Sequence, residues 1–105
     1  MTKTLNVIGV LKVKPGHMEA VKSILQVLAQ ETRKEPGNIE YLVIEDIANP
    51  NTVFSIEKWA SPDHEAKHWE ASHLKEAFAQ LGPHLAAEAI VNKGYDLATG
   101  TAQTS

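Results

Sequence analysis

The stretch from His64 to His73 holds three of the chain's five histidines, and with them the first chemistry worth weighing. Histidine gains and loses its proton near neutrality, so His68 and His73 are candidates for acid–base work, with a capping or core role as the plain alternative. His64-Glu65-Ala66-Lys67-His68 also spells H-E-x-x-H, which on a helix can hold zinc with the glutamate as base. The extended form of that motif would need glycine at Ala71 and histidine at Leu74, and His73 misses by one. Glu70, His73 or Glu88 could act as a third ligand. The motif nevertheless begins in a first helical turn beside Pro62, and so short a chain offers little peptide cleft. A zinc protease is therefore rejected and no metal is expected. The i, i+4 pair His64/His68 is at most an adventitious metal binder.

Glu57 and Trp59 stand two apart in a β-rich run, so both point to one face of a strand. Trp59 is either a flat apolar wall for an aromatic ring or a core tryptophan. Glu57 beside it is either a buried base with a raised pKa or a structural partner for a backbone amide or a lysine. Asn6, polar on the first strand, could hydrogen-bond an oxyanion or could simply face solvent at an edge. Trp69 and Phe78, further along, are expected to join Trp59 and Asn6 in binding substrate. His17 and His84 fall at element ends and read as exposed.

Turn signals define the elements that must hold these groups. Leu5 to Val13 is β-branched and closed by Pro15-Gly16, with Leu5, Val7, Leu11 and Val13 making one buried face. Met18, Val21, Ile24/Leu25 and Leu28 follow helical spacing, and that helix should stop near Pro36-Gly37. Ile39–Ile47 and Val53–Trp59 read as strands joined by Asn49-Pro50-Asn51 in a hairpin. Ser61-Pro62-Asp63 opens a second helical stretch, with serine as the cap and proline in the first turn. Its periodicity runs through Ala66, Trp69, Leu74, Ala77, Phe78 and Leu81, with a break near Ser72, and Gly82-Pro83 ends it. Ala87–Leu97 supplies a last strand, and residues 98–105 read as a fraying tail.

The order is β-α-β-β-α-β, an α+β ferredoxin-like plan in one domain spanning residues 1–105. Four antiparallel strands with helices on one face leave the other face bare, so a second copy packed sheet to sheet is expected. A net charge of −3 and a single arginine, Arg33, give no reason to expect nucleic acid or an anionic membrane. The absence of cysteine excludes disulfides and thiol chemistry. Met1 to Asn6 lacks a signal-peptide core and no run is long enough to span a bilayer, so a cytoplasmic protein is expected.

Val13-Lys14-Pro15-Gly16, Glu35-Pro36-Gly37-Asn38 and Phe54-Ser55-Ile56-Glu57-Lys58-Trp59 occur in order, followed by His64, His68 and Ser72-His73-Leu74-Lys75. Together they resemble the antibiotic biosynthesis monooxygenase domain family, and within it the small quinol-monooxygenase-like proteins. The resemblance implies a dimeric α+β barrel with a cavity between sheet and helices in each subunit. It also implies oxidation of an aromatic or quinol-like compound by O₂ without flavin, haem or metal. In that scheme the substrate loses a proton, its anion passes an electron to O₂, and the radicals recombine. His68 and His73 match the family's helical histidines and Trp59 its strand tryptophan. The substrate arginine of actinorhodin-type members does not carry over to Arg33. The positions that haem-degrading members need fall on Gly9, His68 and Phe78, and two of these lack suitable chemistry. Rival readings of the same fold are an isomerase or reactive-carbonyl-processing enzyme, and a dimeric small-molecule binding module without turnover.

Overall fold

In the computed structural model, residues 3–98 are described, and the expected tail from residue 99 onward lies outside them. Strand β1 (Leu5–Lys12) leads through Gly16, at φ +85°, into α1 (Met18–Thr32). A turn through Gly37, at φ +82°, enters β2 (Asn38–Glu45). Asn51 takes φ 65° in the hairpin to β3 (Thr52–Trp59), a conformation asparagine tolerates better than most residues. Then come α2 (Pro62–His68), α3 (Ser72–Leu81), a 3-10 turn over Gly82–His84 and β4 (Ile90–Gly94). The Ser61 hydroxyl caps α2 by accepting the His64 N–H at 3.2 Å. The expected break near Ser72 is thus real, with His68 ending one helix and His73 in the first turn of the next.

The sheet is antiparallel in the order β2-β3-β1-β4, the ferredoxin-like arrangement. Alternation places Leu5, Val7, Gly9 and Leu11 opposite Trp59, Glu57, Ser55 and Val53 on the helix-covered face. Tyr41 opposes Glu57 and Val43 opposes Ser55 on the β2 side; Lys93 and Val91 oppose Val7 and Gly9 on the β4 side. A main apolar cluster built on Val21, Leu25, Leu28, Val53, Leu74 and Leu81 fills the space beneath the helices. A smaller one, Leu5, Val7 and Trp59, stands apart from it.

The other face carries Ile8, Leu42, Ile44 and Ile90, each roughly half exposed, around Phe54 and Ile56. At the β2 edge the Arg33 guanidinium donates twice to the Tyr41 carbonyl, at 3.1 and 2.8 Å, which explains its position at the end of α1.

Strand β4 is shorter than the expected Ala87–Leu97, because all five of its residues are exposed and, among the described residues, only β1 pairs with it. β2 ends at Glu45, since Asp46 turns the chain by accepting from Ala48 N–H at 2.8 Å and Asn49 Nδ2 at 2.9 Å, leaving Ile47 exposed. His17 and His84 are not free at the surface. They are half-buried with their Nδ1 atoms 2.9 Å apart, joining the start of α1 to the 3-10 turn.

Candidate active site

The groups that could do chemistry lie between the two apolar clusters. Trp59 is fully buried and donates its indole N–H to Glu57 Oε1 at 3.0 Å. The Ser55 hydroxyl donates to Glu57 Oε2 at 3.0 Å while accepting the Gly9 N–H at 3.2 Å. A Cβ at Gly9 would overlap Ser55 Oγ and push that hydroxyl out of its present place between Gly9 and Glu57. Burial raises the pKa of the Glu57 carboxyl above its usual range, against the lowering effect of the Trp59 and Ser55 hydrogen bonds and of His68. Burial, with Glu57 and Glu35 adding, likewise keeps the Tyr41 hydroxyl protonated well beyond the usual phenol range.

His68 ends α2 almost wholly buried, its ring centroid 4.8 Å from that of Trp59. Its Nδ1 lies 2.7 Å from Glu35 Oε2, and His73 Nε2 lies 2.6 Å from the same oxygen. Glu35 comes from the turn after α1, where its N–H donates to the Thr32 carbonyl and its own carbonyl accepts from Asn38. With Glu35 ionised, a carboxylate can only accept, so both nitrogens facing it carry hydrogen. His68 is then held as the Nδ1–H tautomer, with the lone pair on Nε2, by the logic that orients a catalytic imidazole with a buried carboxylate.

A cavity of about 50 Å³ opens on this arrangement, lined by Ser55, Glu57, His68, Tyr41, Trp69 and Phe78 together with core aliphatics and the start of β4. Trp69 and Phe78 stack with centroids 5.9 Å apart and planes 17° from parallel. The Trp69 indole N–H donates to buried Glu65 at 2.6 Å, and Lys93 of β4 reaches the same carboxylate at 3.0 Å, lying over the Trp69 ring.

The structure brings His68, His73, Glu57, Trp69 and Phe78 to one region, with corrections to two other residues. Trp59 does not line the cavity; it belongs to the separate Leu5/Val7 cluster and backs His68 and Glu57 from behind. Asn6 is out of phase with Leu5 and Val7, so it faces the helix-free side and donates to Asp96 Oδ1 at 2.7 Å. His73 lies outside the cavity, on a groove between α1 and α3, and joins His68 only through Glu35. H-E-x-x-H does not assemble as a unit. His64 meets Ser61 Oγ at 2.8 Å and packs on Gly37, Glu65 pairs with Lys93, and His68 turns to Glu35. Among the described residues, the histidines and acids close enough to share one ion are Glu35, His68 and His73. Glu35 was not expected; its Pro-Gly context reads as turn punctuation, and nothing local ties it to residues 33 and 38 positions away. Ser55 and Tyr41 were signalled only by lying in phase with Glu57.

A small ferredoxin-like chain with a mostly apolar, histidine-bearing cavity under its helices is the class that fold and site define. The family model described as antibiotic biosynthesis monooxygenase matches residues 4–81, and the chain belongs to that family. It is 35% identical over 75 residues to the Bacillus subtilis (strain 168) protein named "Putative monooxygenase YcnE", covering 71% of this chain and 78% of that one. A conserved protein from Methanosarcina mazei Go1 is similar in structure with TM-score 0.85 at 28% identity, over 90% of this chain and 93% of that one. Rv0793 from Mycobacterium tuberculosis shares the fold with TM-score 0.86 at 21% identity, over 94% of this chain and 100% of that one. Among the described residues no helix is long and apolar enough to cross a membrane.

Proposed function

We propose that the protein is a cofactor-independent monooxygenase of a small aromatic, quinol-like compound, and that it works as a homodimer. One observation carries the reading: a buried histidine on the cavity, oriented by a carboxylate through Nδ1 and so left with its Nε2 lone pair for a substrate hydroxyl. A neutral phenol is a poor one-electron donor to O₂, whereas its anion is a good one. His68 takes the hydroxyl proton, and the Tyr41 hydroxyl is the neutral donor within the cavity lining, since the Ser55 hydroxyl is committed to Glu57.

The anion gives one electron to O₂, superoxide and the aryloxyl radical combine at carbon, and the peroxide loses water. For a hydroquinone the balance is hydroquinone plus O₂ to hydroxyquinone plus water, with all electrons supplied by the substrate. The captured proton goes back from the His68 imidazolium to the peroxide as water leaves, and the Glu35 carboxylate on Nδ1 stabilises that imidazolium in the meantime. Entry of an aromatic ring requires the wall at Trp69, Phe78 and β4 to yield, because benzene occupies an engineered cavity of about 150 Å³.

The test is O₂ uptake and quinone appearance with a panel of hydroquinones, using dialysed protein without added flavin or metal. Consumption above the buffer rate supports the proposal. No consumption with any quinol, together with retained binding of aromatics, would turn it into a binding module.

A further inference from the structure

We propose that Glu35, His68 and His73 also form a binding site for one divalent first-row transition ion, of the zinc or cobalt kind, and that its occupation silences His68 as a base. The second half rests on the function proposed above; the first half does not. The three ligand atoms, one carboxylate oxygen and two imidazole nitrogens, lie within 4.8 Å of one another. They come from separate elements: the turn after α1, the end of α2 and the first turn of α3. Side-chain exposures of 3% for His68, 12% for Glu35 and 24% for His73 describe a site closed on one side and open on the other. Two imidazoles and one carboxylate suit zinc, iron(II), cobalt and nickel, and the open side leaves room for water as a further ligand.

Metal–ligand bonds of about 2.0–2.1 Å at angles near 90–110° need neighbouring ligand atoms roughly 3 Å apart. The existing contacts of 2.6 and 2.7 Å therefore widen by a few tenths of an ångström, while the His68 and His73 nitrogens, within 4.8 Å of each other, close to that same spacing as the ion draws them in. Among the described residues Glu35 forms no ion pair with a lysine or arginine, so no cation has to be displaced. The carboxylate and two neutral imidazoles leave a single positive charge on the occupied site.

Coordination through His68 Nδ1 and His73 Nε2 moves each ring hydrogen to the distal nitrogen, with no net release of protons. For His68 that converts Nε2 from acceptor to donor. The ion and the base function thus exclude each other. This site differs from H-E-x-x-H, of which it uses His68 alone.

The experiment titrates metal-free protein with Co²⁺, reading visible absorbance and bound metal by equilibrium dialysis. One ion per chain is expected. Glu35→Gln and His73→Ala should each weaken binding by about a hundredfold or more, since even second-shell changes cost about 10–100-fold. His64→Ala should leave binding unchanged. A measurement on the unaltered protein guards against variants that fail to fold: Co²⁺ should shift the imidazole signals of His68 and His73 and spare those of His17 and His84.

No saturable binding below millimolar Co²⁺ overturns the site, as does binding that survives both ligand variants or vanishes with His64→Ala. If quinol-dependent O₂ uptake is present, zinc at saturation should abolish it, and undiminished uptake overturns the silencing. Metal binding at these ligands with no quinol uptake at all supports the site and counts against the monooxygenase reading instead.

Discussion

His68 lines the cavity with its Nδ1 committed to Glu35, so the two glutamates near it have different tasks. Glu35 positions the imidazole; Glu57 stands beside it, buried and held by Trp59 and Ser55. His68→Ala should lower kcat for a quinol by about 10²–10⁴-fold, the usual share of a general base. Glu35→Gln should lower kcat less, with KM nearly unchanged, because the substrate touches His68 and not Glu35. Steady-state O₂ uptake reads both. Glu57 gives a prediction in stability instead. A carboxyl whose folded pKa is raised binds its proton more tightly in the native state than in the unfolded one. That contribution is complete below the unfolded value of about 4.3 and is lost as pH rises through the folded value. Glu57→Gln should remove this loss, so its melting temperature relative to wild type should climb from acid to neutral pH. A difference that stays flat with pH would show that burial at Glu57 is not costly.

At the scale of elements, the α2–α3 break matters most, because it puts His68 and His73 on opposite sides of one carboxylate. That break was legible, since periodicity falters near Ser72, and the structure places it at Ala71, extended before α3. The helices, the hairpin and the ferredoxin-like order were legible for the same reason: caps, turns and periodicity are local signals. Contacts between distant segments were not. Glu35 with His68 and His73, His17 with His84, and Glu65 with Lys93 all depend on how elements dock, which no spacing in the chain encodes. Asn6 is a different failure, because the phase of Leu5 and Val7 already placed it on the far face.

The Glu65–Lys93 pair ties α2 to β4, a strand that among the described residues pairs only with β1. Lys93→Ala leaves a buried carboxylate with Trp69 as its only remaining hydrogen-bond donor among the described residues. Lys93 is itself half exposed, so the cost should be about 1–2 kcal/mol, below that of a fully buried pair. Urea unfolding measures it. If β4 is the wall that yields, the same variant should speed aromatic ligand entry in stopped-flow.

Among the described residues, one sheet face lies under three helices and the other bears Ile8, Leu42, Ile44, Phe54, Ile56 and Ile90 with no element over them. Single exposed apolar residues are ordinary on a small protein; a contiguous set on one sheet face marks an interface. The side chains lie in neighbouring rows, Ile44–Phe54–Val10–Ile90 and Leu42–Ile56–Ile8–Asn92, and so form a continuous surface rather than scattered points. A second copy related by a two-fold axis would cover the whole of it with the same residues, since such an interface is self-complementary. Sedimentation should therefore give about twice the 11.5 kDa chain mass at micromolar concentration. Leu42→Glu would put a charge from each copy into a surface where it cannot keep its hydration. It should give a monomer that is still folded, because Leu42 contributes nothing to the core beneath the helices. The melting temperature of the wild type should rise with protein concentration and that of Leu42→Glu should not. A wild-type chain that sediments as a monomer at every concentration would leave the apolar face without a partner of its own kind.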